Sequence, residues 1–404
     1  MSKRLAITFV MITVVIDSMG IGLMMPVMPD LLQELGADDL SRAAIWGGFL
    51  SMLFALMQFL FGPYIGALSD RFGRRPVLLL SLVVVMFDYL LLAVAGTIWL
   101  VILARIIAGI ASATQSTASA YMADISKPEE KAQNFGLVGA AFGIGFVLGP
   151  LIGGLLSELG TRAPFYAAAI LAGANLVLGY FAFPETVTDK IRRKFEWRRA
   201  NPFGAFSHVG KLPQVGRMLL VVLVYNFAFM IYPAVWSFFT QEAYGWTARD
   251  VGISLAAFGI TIAFIQGFAI RYFILWMGEA RTAIFGLSMN VIAFTLFVFT
   301  NAGWQAYAII GLTTLGVVTM PSLQGMMAQR VSDDAQGELQ GVLVSTQSIS
   351  SIVSPVVMTA IFGFFTSAVA PIYLPGAPFA LAALLTLTGL VLFLTRRQPA
   401  PAPA

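Results

Sequence analysis

Apolar residues run through this chain in long stretches, broken by short clusters of charge, Gly and Pro. A bilayer-crossing helix needs about 20 mostly apolar residues. Reading for such runs predicts twelve spans, at 5–27, 44–68, 76–96, 98–122, 133–157, 163–183, 216–240, 250–273, 281–300, 302–327, 338–366 and 373–395. The first span follows Lys3 and Arg4 as a signal peptide would, but it is long and shows no small-residue cleavage pattern, so it is read as retained. Segment 184–215 is different: it mixes charge with Pro202 and Pro213 and has no long apolar run. The pattern predicts an all-α membrane protein with an N-terminal six-helix bundle (1–183), a linker (184–215) and a C-terminal six-helix bundle (216–404). The last residues, QPAPAPA, read as a short disordered tail.

The basic residues orient these spans. Arg71, Arg74 and Arg75, Lys127 and Lys131, the run from Lys190 to Arg199, Lys211, Arg217, Arg271, Arg281 and Arg330 all fall on one side, with both termini. The other side holds Arg42, Arg162 and Arg249. By the positive-inside rule both termini and the linker are cytoplasmic. The net charge of +4 is thus a topology signal and not a nucleic-acid footprint. The chain has no Cys, and its one His, His208, lies in the linker, which excludes thiolate sites and His-based metal sites or triads. No nucleophile–base constellation is visible, so an enzyme is not expected.

The two halves share a pattern. Gly73 and Gly278 are 205 positions apart (278 − 73), and the same offset relates Ala123 to Ala328, Gly136 to Gly341 and Pro150 to Pro355. Parallel six-helix repeats with a site between them are a transporter architecture, in which one half rocks against the other.

Two acids interrupt otherwise apolar spans: Asp17 in the first and Asp88, within VLLLSLVVVMFDYLLLAVAG, in the third. A carboxylate at that depth costs about 2.5–3.5 kcal/mol on insertion scales and is kept mainly for moving protons, ions or substrates. The plainer alternative is a buried hydrogen-bonded helix contact. The run GALSDRFGRRPVLL (66–79) is the strongest motif. Gly66 permits close helix approach, Asp70 can accept from Arg or helix N–H groups, Gly73 allows a tight turn, and Arg71, Arg74 and Arg75 suit an anionic leaflet. In GAAFGIGFVLGPLIGG (139–154), Gly139, Gly143, Gly149, Gly153 and Gly154 offer a smooth packing face and Pro150 a bend.

With these motifs the chain resembles the major facilitator superfamily, where the 66–79 loop is a conformational latch between halves. DSMGIGLMMPVMPDLL (17–32), LARIIAGIASATQSTASAYMADI (103–125), FDYLLLA (87–93), PFYAAA (164–169), FPET (183–186), GISLAAFG (252–259), TMPSLQGMMAQRV (319–331) and GELQGVL (337–343) make it similar to the twelve-helix drug antiporters of the tetracycline-efflux group, from about residue 5 to 395. That group exchanges a tetracycline–Mg²⁺ complex for a proton. The resemblance implies Asp17 and Asp88 as proton-coupling carboxylates, Gly66, Asp70, Gly73, Arg74, Arg75 and Asp124 as the latch, and Arg105 as a buried fourth-helix cation. It makes Gly149, Pro150, Gly153 and Gly154 the antiporter motif, with Gln58 and Gln266 as cavity glutamines.

One departure stands out. The ninth-helix acid of the group is Asn290 here, and its eighth-helix histidine is Ile262. Asn carries neither charge nor proton at neutral pH, so proton handling falls to the first half. Asn226, Trp236, Gln266, Asn290, Gln324 and Gln347 are the remaining cavity candidates of the second half, with helix-packing roles equally open to them. Tyr89, Tyr121, Tyr225 and Phe229 are candidates to stack on a planar ligand. The expected function is proton-coupled export of an amphipathic drug or metabolite from a bacterial inner membrane, with Mg²⁺ entering only as part of a chelated substrate and no resident cofactor. The alternative is a proton-driven nutrient importer on the same fold.

Overall fold

The computed structural model describes residues 3–112, 114–127, 130–187, 201–202, 204, 212, 215–332 and 335–395. The basic run 190–199, Lys211, Arg396, Arg397 and the Pro/Ala tail lie outside them. Among the described residues the regular structure is helical. The first half comprises α1 (Lys3–Met24), α2 (Met28–Glu34), α3 (Leu40–Phe72), α4 (Arg74–Val94), α5 (Ile98–Ala111), α6 (Thr114–Ile125), α7 (Lys131–Leu156) and α8 (Ala163–Ala182). The second comprises α9 (Gly216–Phe229), α10 (Ile231–Tyr244), α11 (Ala248–Phe264), α12 (Ile270–Val298), α13 (Gly303–Gly316), α14 (Thr319–Ala328), α15 (Gln336–Thr366) and α16 (Ala377–Leu394).

These helices give the predicted spans. Among the described residues, eleven stretches are long and apolar enough to cross a membrane, and the longest, Ala248–Val298, holds two spans. It turns at Gly278, whose φ of 75° and ψ of 164° are not helical. Gly73, its partner at the repeat offset, adopts φ 111° and ψ 155° between α3 and α4. The breaks inside spans follow the same offset. The gap of α5 and α6 at Ser112 matches that of α13 and α14 at Val317, and the α1–α2 turn matches the interruption at Met230. Discontinuous helices at corresponding points of two repeats are where transporters of this architecture hold their ligands.

The halves meet at one end. There α3 packs on α15, where a Cβ on Gly48 would lie 2.9 Å from the Pro355 carbonyl oxygen, and α7 packs on α11, where a Cβ on Gly154 would lie 2.6 Å from that of Ala248. Ser237 donates to the Met25 carbonyl (2.8 Å), Gln241 donates to Asp30 (3.2 Å), and Arg249 pairs with Glu158 (2.8 Å). Burial raises the Asp30 carboxyl above its ordinary range, against the lowering effect of the Gln241 hydrogen bond. At the other end, which carries Gly73, the same helices offer open space: a Cβ at Gly62, Gly66, Gly136, Gly139, Gly143 or Gly337 would touch nothing within 4 Å. The molecule is therefore closed at the end bearing α2 and open toward the end bearing the 66–79 motif.

The charge asymmetry read from the sequence has a physical counterpart. Each basic residue on the closed side has an acid beside it: Arg42 with Asp38, Arg162 with Glu34 (3.6 Å) and Arg249 with Glu158.

Candidate functional site

Asp88 is carried into the first bundle by α4 and Arg105 by α5; both are buried, and they form an ion pair. In an apolar span each charge is tolerable only because the other neutralises it. The pair leaves one carboxylate oxygen, Oδ1 of Asp88, and the Nε of Arg105 without a hydrogen-bond partner among the described residues. The Arg105 guanidinium also lies 5.8 Å from the centre of the Phe54 ring. Asp17 sits half-buried on α1, within electrostatic range of Tyr89 together with Asp88 and Arg105. The structure thus brings three groups predicted from sequence, Asp17, Asp88 and Arg105, into one neighbourhood of the first half.

The antiporter-motif helix divides into two faces. Gly149 and Gly153 press α7 onto α1, where a Cβ on Gly153 would lie 2.9 Å from the Leu23 Cα and one on Gly22 2.6 Å from Pro150. Gly154 instead meets α11 of the other half, while Pro150 touches both, its ring facing Gly22 of α1 and its carbonyl oxygen facing Gly252 of α11. Gly139 and Gly143, expected to share the packing face, look onto open space. The glycine run therefore serves two contacts and an opening, not one continuous seam.

At the open end the 66–79 loop is tied down within the first half. Arg74 pairs with Asp70 (2.6 Å) and Asp124 (3.2 Å) and donates to Ser69 (3.1 Å). Arg75 donates to the Tyr180 carbonyl (2.6 Å). The residue that holds this together is Glu185, to which sequence reasoning gave no role. Its carboxylate accepts from the backbone N–H groups of Arg74 (2.8 Å) and Arg75 (3.2 Å), which are orphan donors at the start of α4, and from those of Thr186 and Val187 (both 2.9 Å). Its signal was present in FPET, but only the fold brings that segment beneath the loop. Gly73 is doubly constrained, by its left-handed φ and because a Cβ there would run into the Glu185 carboxylate; Gly278 meets only the first constraint. Gly73→Ala is expected to lower thermal stability in detergent by about 1–3 kcal/mol and by more than Gly278→Ala; equal losses would show that Glu185 does not matter.

The second half is neutral at the corresponding depth. Asn290 does not line the opening: it is wholly buried on α12 and donates to the carbonyls of Gly286 and Gly316 (both 3.1 Å). Gly316 is Gly because the Asn290 amide occupies the space of a Cβ. Trp236 is likewise buried, donating to Ser254 (2.9 Å) among Tyr232, Phe239, Phe297 and Phe379. In this conformation helix packing, the other role left open by the sequence, engages both side chains. Tyr89, Tyr121 and Tyr225 are buried too, Tyr121 stacking on Phe183 with ring centres 4.1 Å apart, so none is presented for ligand stacking here. Gln58, Gln266 and Gln347 are exposed, and Asn226 and Gln324 half-buried. Gln266 lies in a π-helical turn, Ile265–Ala269, a distortion frequent at functional sites. The amide nitrogen of Asn226 is buried without a partner among the described residues.

Comparison with known families decides the grouping. The model described as Major Facilitator Superfamily matches residues 10–355 and 218–404. The chain belongs to the major facilitator superfamily. Within this superfamily it is 41% identical, over 90% of its own length and 91% of the relative's, to the class C tetracycline resistance protein of Escherichia coli. Among solved structures of the fold, it superposes on the human organic anion transporter MFSD10 with a TM-score of 0.71 at 23% identity, covering 97% of this chain and 100% of that one. It also superposes on a bacterial homologue of the human lysosomal transporter Spinster, solved inward-facing and unoccupied, with a TM-score of 0.72 at 16% identity, covering 98% and 96%. This facilitator is thus a membrane transporter and not an enzyme.

Proposed function

We propose that this facilitator is a proton-coupled exporter of an amphipathic organic compound, working by alternating access in a bacterial inner membrane with both termini in the cytoplasm. Tetracycline as its Mg²⁺ complex is the first substrate to test. The observation that carries the reading is the buried Asp88–Arg105 pair beside Asp17, in a molecule whose halves are sealed at one end and open at the other. The identity to the class C tetracycline resistance protein supports the substrate class. With the basic loops inside, the conformation described above faces the cytoplasm.

In the cycle, a carrier open to the outside takes a proton on Asp17 or Asp88. The halves then rock about the α3–α15 and α7–α11 contacts, the proton leaves to the cytoplasm, and substrate enters. Asp88 is held near Arg105, so protonation of its carboxyl frees the guanidinium from its counter-charge, and deprotonation restores the pair. That exchange of partners ties proton occupancy to the arrangement of α4 and α5. The two halves, 1–183 and 216–404, are the moving bodies, and the 184–215 segment joins them.

In everted vesicles energised by a pH gradient, adding tetracycline with Mg²⁺ is expected to release protons from the lumen, and Asp88→Asn to abolish the signal. Silence from an inserted, folded protein would exclude tetracycline exchange. Proton-driven uptake into right-side-out vesicles would reverse the direction assigned here.

A further inference from the structure

The seal between the halves rests in part on an acid with no basic partner among the described residues. Ser237 and Gln241 lie one turn apart on α10 and both donate across the boundary. Ser237 reaches the Met25 carbonyl (2.8 Å), and Nε2 of Gln241 reaches Oδ1 of Asp30 on α2 (3.2 Å). The first bond joins neutral groups; the second sets a half-buried carboxylate against the other half. The charged groups around it are engaged with one another. On α2 itself Glu34 pairs with Arg162 at the start of α8 (3.6 Å) and adds a like charge to Asp30. At the start of α3, Arg42 pairs with Asp38, while Asp39 accepts from the Arg42 N–H (2.9 Å) and the Ser41 hydroxyl (2.6 Å). On α10 Glu242 accepts from the Tyr373 hydroxyl, and at the start of α11 Arg249 pairs with Glu158. Sealing therefore takes water from the Asp30 carboxylate and returns one hydrogen bond from a neutral amide.

We propose that Asp30 is a proton-operated gating residue, whose protonation from the outer side favours the sealed, cytoplasm-facing form of the carrier. The role rests on the alternating-access reading and its orientation, and adds a titratable group outside the buried Asp88–Arg105 pair. Desolvation disfavours the charged form of a carboxyl, and burial is the largest influence on Asp30, ahead of the opposing Gln241 bond. A neutral carboxyl keeps a carbonyl oxygen for Gln241, so protonation relieves the buried charge without breaking the bridge. In the parted form the same carboxyl returns to water and to the ordinary value of about 3.9. The sign follows from linkage. The sealed form holds its full advantage below that ordinary value and loses it as pH rises through the raised one. Acid outside thus favours closure, the step that brings protons inward in the proposed cycle. Asp30 ferries none itself: it stays half-exposed at the sealed end and answers to the outer medium.

The test is a distance measurement by pulsed electron resonance on the full-length protein in lipid nanodiscs, with nitroxides on cysteines introduced by Glu158→Cys and Arg249→Cys. The chain has no Cys of its own, so only these positions carry label. Short and long distances give the ratio of sealed to parted molecules. Asp30→Asn keeps an acceptor for Gln241 but carries no charge. At about pH 8 it is expected to raise that ratio about threefold or more over the labelled parent, and the gap to narrow as pH falls toward about 5. Gln241→Leu removes the bond that favours the charged form, so it is expected to lower the ratio more at about pH 8 than at about pH 5. Equal ratios in Asp30→Asn and its parent at about pH 8 would overturn the proposal. A displacement by the same factor at every pH would mark a merely structural contact and overturn it as well. A parent with one unchanging distance would do so too, because the gate would have no equilibrium to bias. Should Asp30→Asn fail to fold, a Gln241→Leu effect that is identical at both pH values decides against it. The measurement needs no substrate, so it is separate from the export reading: absent drug–proton exchange with the pH-dependent gap present would sink that reading and leave the gate standing.

Discussion

Asp88→Asn is expected to abolish proton-driven transport and to destabilise the first bundle by about 3–5 kcal/mol, the cost of leaving one member of a buried ion pair without its partner. The reason is local and electrostatic. Arg105 is buried on α5 with Asp88 as its paired carboxylate, and its Nε is already without a partner among the described residues. An Asn offers an amide oxygen but no countercharge, so the guanidinium would draw in water or pull α5 toward an opening. Arg105→Gln is expected to do equal damage by stranding the carboxylate. The double variant Asp88→Asn/Arg105→Gln separates stability from function: two neutral amides can hydrogen-bond, so thermal stability should recover substantially, while transport stays absent. Denaturation midpoints in detergent and vesicle exchange measure the two. A double variant that transports would remove the pair from the mechanism; a single variant as stable as wild type would show that the pair is solvated.

The second large effect concerns the seal between the halves. Gly252→Val is expected to shift the carrier toward its outward-open form, because its Cβ would collide with the Pro150 carbonyl oxygen and lie 3.1 Å from the Gly154 Cα. Both obstacles are backbone, so no side chain can turn away, and overpacking of this kind costs about 1–3 kcal/mol. The cost falls on the conformation in which α7 and α11 touch, not on the one in which they part. The chain contains no Cys, so cysteines placed at Glu158 and Arg249, which now form an ion pair, report closure against a silent background. Cross-linking by a short bifunctional thiol reagent should fall about tenfold or more in Gly252→Val, the factor that corresponds to 1.4 kcal/mol. Unchanged cross-linking would mean that the seal tolerates the side chain and that the contact does not set the equilibrium. Gly139→Val, on the same helix as Gly154 but facing open space, is the matched control and should leave closure unchanged.

Asn290 illustrates how far residue identity carries without packing. Its place in the ninth span, where related carriers hold an acid, suggested a polar group facing substrate. In the fold its amide bridges α12 to the end of α13 through the Gly286 and Gly316 carbonyls. A neutral group whose nitrogen is used by two backbone acceptors acts as a helix tie, and no linear reading could have found Gly316. Glu185 is the converse. It was visible as a charge after the sixth span, yet its use at the α4 N-terminus required two segments more than 100 positions apart to meet.

By itself the sequence determined what depends on composition, run length and periodicity. These were the apolar spans, the charge asymmetry of their connections, the repeat offset that recurs at Gly73 and Gly278, and the two carboxylates whose cost in an apolar span demanded a purpose. Such features are local, because hydrophobic transfer and backbone sterics act residue by residue. Tertiary structure alone decided which polar groups neutralise one another, which glycines are contacts and which face an opening, and which end of the molecule is sealed. Those outcomes depend on distances of a few ångströms between helices remote in sequence, where a single Cβ or an unpaired charge changes the balance.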